Sequence, residues 1–366
     1  HPNYYTLNTG PNWYPITELN RRSILTGLSV HRAVSKPPDF YPHEKEQYFM
    51  ALFLKDDDIL QSVSMDEMLD AIENMQSNYG KGEAYNLPRR KIIAQGGLLS
   101  VMGGGLYYDR VMGVKTYTVV KGKYSFQVSL YDTETGELLC YTQANRLGQL
   151  RTGATTGIAV KYLSNPDSST VGLIGTGYQA PTQLEAISKV RNIRTVKAFS
   201  PTIEHRESFA KKMTEQLNIT VIPVASAKEA IEGTDIVVSI AATMEPIIDG
   251  TWLSPGTTVI AAGPTTWRAH EITDEVLIRA DKIFVDSLEQ APIESGDLAG
   301  AVDRGILQWS QLYELRHSVS KTIMAREDSG QIIFAKLMGT GVADVCAAKL
   351  AYDNATARNL GMELDW

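Results

Sequence analysis

Thr170-Val171-Gly172-Leu173-Ile174-Gly175-Thr176-Gly177-Tyr178-Gln179-Ala180 decides the fold of this 366-residue chain. The apolar run Val171 to Ile174 reads as a buried parallel strand. It breaks at Gly175-x-Gly177-x-x-Ala180, after which Gln183, Leu184, Ala186, Ile187 and Val190 follow a helical pattern. Strand, glycine turn and helix in that order open a dinucleotide-binding unit. Gly175 permits the tight turn, Gly177 lets the backbone approach a pyrophosphate, and Ala180 lets the helix pack close to the strand. Thr176, Tyr178 and Gln179 complete the turn, and the helix start offers free N–H groups and a positive dipole end to phosphates. The glycine pattern alone is a weak signal; the flanking strand and helix give it weight.

Downstream of this turn the chain alternates. Strands are expected at 171–174, 195–199, 219–224, 235–240, 257–262 and 282–286, with helices between most of them, such as 203–216 and 227–231. Alternation of this kind implies a parallel sheet covered on both faces. Upstream the pattern differs. Ser64 and Glu67 form a capping box ahead of Met68, Ile72 and Met75, so a helix starts there. From Lys91 to Tyr141 β-branched and aromatic residues dominate. Val114 to Val120, Phe126 to Tyr131 and Leu138 to Tyr141 read as strands, separated by turns at Lys121-Gly122 and Thr135-Gly136. Strands in close succession imply an antiparallel or mixed sheet. Arg151 to Leu163 and Gly339 to Ala357 read as helices.

The expected architecture is α/β. A Rossmann-type parallel-sheet domain spans 152–320. A second, α+β domain with an antiparallel or mixed sheet is built from 56–151 plus 321–366, the N-terminal half and the C-terminal helix. Residues 1–55, rich in Pro, Asn, Tyr and charge, read as an extension with one short helix near 16–28, packing on its own domain or on a neighbouring subunit. A ligand cleft belongs between the domains, at the carboxyl ends of the parallel strands.

Composition limits the partners. Hydrophobic residues make up 43% and charged residues 21%, ordinary for a soluble globular protein, and the net charge of −7 comes without a Lys/Arg block. Nucleic acid and anionic membranes are therefore not expected partners. Cys140 and Cys346, the only cysteines, sit in apolar segments and read as buried thiols, which suits a reducing, cytoplasmic setting. No stretch reaches membrane-span length and no signal-peptide pattern is present, although His1 at the start points to a trimmed chain. The six histidines are scattered, so no metal site is expected.

The tip of the second parallel strand bears on cofactor choice. Val196 to Phe199 runs into Ser200-Pro201-Thr202, then His205-Arg206, with no acid for ribose hydroxyls. Ser200, Thr202 and Arg206 read as a cradle for a 2′-phosphate, favouring NADP(H), with NAD(H) as the alternative; the competing reading is a plain strand-to-helix turn capped by Thr202. Ala241, Ala242 and Thr243, then Ala262 and Gly263, end two further strands and leave room for ribose and nicotinamide.

Five separated motifs then resemble the ornithine cyclodeaminase/mu-crystallin family. They are Arg151-Thr152-Gly153-Ala154, the glycine turn, Trp252-Leu253-Ser254-Pro255-Gly256, Val285 to Ala291 leading into Glu294-Ser295-Gly296-Asp297-Leu298, and Gly339 to Asp344. The resemblance covers about 60 to 360 in consistent order. It implies a homodimer and hydride transfer between nicotinamide and the carbon of an amine/imine pair beside a carboxylate, as in an amino-acid dehydrogenase, ketimine reductase or reductive aminase. By resemblance, Arg89 or Arg90 binds the substrate carboxylate, with spacing to Met102 and Lys115 leaving one residue of ambiguity, and Met102 contacts the substrate. Lys115 interrupts an apolar strand, where an inward lysine is costly unless paired; by resemblance it faces substrate and nicotinamide, as carboxylate anchor or proton donor. Its alternative is the solvated face of an edge strand. Arg151 reaches substrate or cofactor, or else forms a structural ion pair, and Thr152 helps position the cofactor. One departure stands out. Where the cyclodeaminases carry a catalytic aspartate, this chain has Thr265. A threonine is no ionised base, so ammonia-lyase chemistry is disfavoured, whereas Thr265 can still hydrogen-bond a substrate nitrogen. The rivals are thus a cyclodeaminase-type lyase with bound NAD and a non-catalytic, crystallin-like binding protein.

Overall fold

The computed structural model describes residues 50–365, in one unit. The expected helix near 16–28 lies outside the described residues. In chain order the first half holds β1 (Met50–Leu54), α1 (Asp56–Ser62), α2 (Met65–Gly80), β2 (Ala84–Ala94), β3 (Gly97–Leu106), β4 (Val111–Val120), β5 (Lys123–Asp132), β6 (Leu138–Gln143) and α3 (Asn145–Leu163). The second half holds β7 (Thr170–Ile174), α4 (Ala180–Val190), β8 (Thr195–Phe199), α5 (Ile203–Leu217), β9 (Thr220–Pro223), α6 (Ala227–Ile231), β10 (Ile236–Ser239) and β11 (Thr258–Ala261). It continues with α7 (Asp274–Arg279), β12 (Lys282–Val285), α8 (Ala291–Glu294), α9 (Gly296–Asp303), β13 (Leu312–Glu314), α10 (Leu315–Val319), β14 (Ile333–Lys336), α11 (Gly341–Arg358) and β15 (Met362–Asp365).

Two sheets result. One is mixed, in the order β15-β1-β6-β5-β4-β3-β2, with β1 parallel to β6 and the other neighbours antiparallel. The other has eight strands, all parallel, in the order β13-β12-β14-β11-β10-β7-β8-β9. Here the chain winds outward from β7 through β8 to β9, then returns to β10 on the other side of β7. That reversal is the switch point where α/β sheets bind ligands.

Three expectations shift. Strand β14 lies in the parallel sheet between β11 and β12, beyond the expected boundary at 320. Its four residues are buried on both faces, so no alternation announces it. Strand β1 falls inside the expected extension 1–55 but pairs with β6 and β15. Helix α3 begins at Asn145 rather than Arg151. Its first turn is capped from afar: Asp56 accepts from the Arg146 amide and the Asn145 side chain, both at 2.8 Å. A cap supplied 90 residues away leaves no local signature. The Ser64–Glu67 capping box of α2 forms as expected.

Candidate active site

The glycine turn after β7 is shaped by one close contact and one open space. Gly175 has φ +97°, and a Cβ there would stand 2.9 Å from the Ala241 amide nitrogen, so only glycine fits. At Gly177 a Cβ would meet nothing within 4 Å. Ala180 N–H donates to the Gly177 carbonyl, but among the described residues the amides of Thr176, Gly177, Tyr178 and Gln179 find no acceptor. Thr176 Oγ1, a further donor, is buried without a partner as well, and so is Gln179 Oε1, an acceptor. Orphan donors around an open turn at the start of α4 fit a pyrophosphate. At the tip of β8, Ser200 is buried and its carbonyl accepts from Arg206 Nη1 at 3.0 Å. Thr202 occupies the cap position of α5 with its hydroxyl making no capping bond.

A cleft of about 630 Å³ runs between the two sheets. One wall is the carboxyl end of the parallel sheet: Ala241, Ala242 and Thr243 after β10, then Ala262, Gly263 and Thr265 after β11. The opposite wall comes from the mixed sheet, with Arg89, Lys115, Tyr117 and Phe126, while α3 contributes Arg151, Thr152 and Thr156. The Thr152 hydroxyl donates to the Gly148 carbonyl at 2.6 Å, whereas buried Thr156 Oγ1 has no partner. Beneath the Gly263 loop lies a buried ion cluster. Lys336 Nζ stands 2.5 Å from Glu271 and 3.1 Å from Asp297, and Glu271 accepts from Ser239 and from the Gly263 amide.

Three cations meet at the inner end of the cleft. Pairing of β4 sets Lys115 opposite Met102 and Val128, both buried, so the lysine shares the inward face. Its alternative, a solvated edge, is excluded: Lys115 is only 4% exposed. A bulge between Leu87 and Arg90 turns Arg89 inward and leaves Arg90 exposed. Arg89 pairs with Glu294 and donates to the Met338 carbonyl at 3.3 Å; its Nε is buried without a partner. Arg151, on α3, is 7% exposed.

Asp344 ties the cluster together. Its Oδ1 lies 2.8 Å from both Lys115 Nζ and Arg151 Nε, and Oδ2 is buried without a partner. The first turn of α11 reaches this position because β3 is glycine-rich: a Cβ on Gly104 would lie 2.5 Å from Val342 Cα. Burial pushes the Lys115 ammonium down to about 8, against the pull of Asp344. Burial also raises Glu294, to about 7 despite Arg89, and it raises Asp286, whose Oδ2 accepts from the Met338 and Gly339 amides. For Asp344 desolvation loses to the two cations, and its carboxyl sits below the ordinary value. At its inner end Arg89, Lys115 and Arg151 line the cleft against one carboxylate, Asp286, an arrangement that favours an anionic ligand.

The structure thus brings Arg89, Lys115, Arg151, Thr152, Gln179, Ala241, Ala242, Thr243, Ala262, Gly263 and Thr265 to one cleft. Two expected substrate contacts fall outside it. Arg90 points out of the sheet and donates to the Arg89 carbonyl. Met102 is wholly buried behind Arg89, its sulfur 3.5 Å from Nη2. Sequence reasoning did not single out Asp344 or Glu294 as site residues. The available signal was an ionisable residue inside an apolar, alanine-rich helix turn, and an acid within a motif already noted.

No helix among the described residues is long and apolar enough to cross a membrane, and none of their His, Cys, Asp and Glu side chains cluster to hold a metal. Both cysteines are free and buried.

A doubly wound sheet with an open glycine turn, facing buried cations across a cleft, defines a dinucleotide-dependent enzyme for a small anionic substrate. The chain belongs to the ornithine cyclodeaminase/mu-crystallin family, whose pattern matches residues 50–359. It is 32% identical over 321 residues to the alanine dehydrogenase of Archaeoglobus fulgidus, covering 86% of this chain and 98% of that one. Among solved structures, Thermococcus litoralis Delta(1)-pyrroline-2-carboxylate reductase in complex with NADH and L-proline superposes with a TM-score of 0.82 at 29% identity, covering 86% of this chain and all of the other. An archaeal alanine dehydrogenase dimer with bound NAD gives 0.81 at 29% identity, covering 86% and 99%.

Proposed function

We propose that this protein is an NAD(P)(H)-dependent oxidoreductase moving hydride between nicotinamide and the C–N carbon of an amino or imino acid. The observation that carries the reading is the cluster of Arg89, Lys115 and Arg151 facing the small-residue strand ends across the cleft. Gly175, Thr176, Gly177, Tyr178, Gln179 and Ala180 hold the pyrophosphate, and Ala241, Ala242, Thr243, Ala262, Gly263 and Thr152 line the ribose and nicotinamide. The bound dinucleotide supplies or accepts the hydride. Arg89 and Arg151 attract the substrate carboxylate, through planar forks suited to two oxygens. Lys115, with its ammonium near neutrality, gives the proton that the nitrogen takes when imine becomes amine, and recovers it in reverse. Thr265 hydrogen-bonds the nitrogen. It offers no carboxylate base, which disfavours ammonia loss.

NADP(H) is the favoured cofactor over NAD(H), supported by Ser200, a free Thr202 hydroxyl and Arg206 at a strand tip without an acid. A homodimer is supported by the exposed apolar residues Ile92, Ile93 and Tyr124 at the free end of the mixed sheet. The buried free thiols support a cytoplasmic location.

The test is a screen of 2-keto acids with ammonia or methylamine, and of amino acids in reverse, following nicotinamide absorbance with both cofactors. Turnover is expected. Release of ammonia and a cyclic product without net absorbance change would establish the lyase instead. Cofactor binding without turnover on any substrate would establish the binding protein.

A further inference from the structure

Helix α3 carries three glycines in its buried stretch, and two have a structural cause. A Cβ on Gly153 would lie 2.4 Å from the Thr182 carbonyl of α4, and on Gly157 2.8 Å from a Leu69 methyl of α2. These positions let neighbouring helices press close. Gly148 is different. Among the described residues, the only atom within 4 Å of its would-be Cβ is Lys115 Nζ, at 3.7 Å. Glycine in a helix costs up to about 1 kcal/mol relative to alanine, and at Gly148, the fourth residue of α3, no packing contact explains it.

What lies over Gly148 is a side pocket of about 390 Å³, branching from the cleft at Lys115 and Arg151. Its walls are Tyr124, Phe126, Ala144 and Tyr178. Phe126 is stacked at 5.7 Å on Tyr124 and packs at 5.1 Å on Tyr117, so an aromatic strip runs beside the cations, with Arg89 6.0 Å from the Tyr117 ring. Of the uncharged polar residues in the pocket, Asn145 donates to Asp56 and Thr152 to the Gly148 carbonyl, while Gln179, whose Oε1 has no partner, marks its edge toward the nucleotide turn. A group seated here meets rings and a bare helix backbone, beside the ammonium of Lys115, which lies 5.3 Å from the Phe126 ring.

We propose that Gly148, Phe126 and Tyr124 form a specificity pocket for a large apolar group, aryl or branched alkyl, carried on the α-carbon of the amino or imino acid. The proposal rests on the hydride-transfer reading above and names its substrate class. The absent side chain at 148 is what leaves room for that group.

The experiment compares kcat/KM for phenylpyruvate, pyruvate and oxaloacetate, each with methylamine, and for pyruvate with benzylamine, using both reduced cofactors. The native enzyme is expected to favour phenylpyruvate over pyruvate by on the order of 100-fold. Gly148→Leu fills the pocket, and the phenylpyruvate-to-pyruvate ratio is expected to fall by about 30-fold. Gly148→Ala, which the local space accepts, gives a smaller fall in the same direction, and Phe126→Ala also lowers the ratio. Fluorescence of bound NADH or NADPH and the melting temperature report that each variant is folded. Preference for pyruvate or oxaloacetate, or an unchanged ratio in folded Gly148→Leu, overturns the pocket and leaves hydride transfer standing. Preference for benzylamine alone overturns its placement on the α-carbon. Silence across every pair and both cofactors overturns the hydride-transfer reading, and this proposal with it.

Discussion

Replacing Asp344 by Asn removes one negative charge and keeps the shape. Its Oδ1, fully buried, lies 2.8 Å from two nearly buried cations, Lys115 and Arg151. Removing one partner of a buried pair costs roughly 3–5 kcal/mol. Divided equally between two equidistant cations, this leaves about 2 kcal/mol at Lys115, equivalent to ~1.5 units of pKa. The sign follows from charge: Asp344 favours the ammonium, so its loss lets Lys115 release its proton at lower pH. In the native protein the group titrates at about 8, so in Asp344→Asn it titrates near ~6.5. At a pH of about 7.5 the protonated fraction then drops from roughly three-quarters to one-tenth, and kcat/KM for imine reduction falls about eightfold. Below about pH 6 both forms are protonated and the two profiles converge. In the amine-oxidising direction the acidic limb moves the same way, and the variant gains at low pH. The assay is a pH profile of kcat/KM in both directions, with the melting temperature recorded to show the variant is folded. A limb that stays in place, or moves to higher pH, would refute Lys115 as the group that handles the proton.

Lys115→Ala is expected to abolish turnover while NADP(H) affinity is kept; lost affinity with normal turnover at saturation would reverse the assignment. Gly177→Val is expected to leave the fold intact, since a Cβ there meets nothing within 4 Å. The same variant weakens dinucleotide binding by about 10- to 100-fold, the overpacking cost of a filled phosphate turn, and equal Kd by fluorescence titration would remove the pyrophosphate from that turn. Arg206→Ala is expected to raise KM for NADP(H) by about tenfold, one lost charge-assisted contact, while KM for NAD(H) holds; equal effects on both would end the phosphate-cradle argument.

Several features were legible in the chain because their causes are local. The strand, glycine turn and helix at 170–190 depend on a run of neighbours, and so does the Ser64–Glu67 box. Lys115 was legible because a lysine in an apolar strand demands a partner. Which partner it has was not, since Asp344 lies 229 positions away and arrives only when α11 presses on the glycines of β3.

The choice between Arg89 and Arg90 shows the same division. Sequence spacing leaves two adjacent arginines equivalent, and a β-bulge, a property of the paired strands, turns one in and the other out. Strand β14 and the remote cap of α3 escaped for the same reason, as each is stabilised by residues distant in sequence. The sequence by itself determined the nucleotide turn, the alternation that builds a parallel sheet and the residue types of the site. Only the tertiary structure decided which charges face one another, because burial and pairing belong to contacts that the chain makes after it folds.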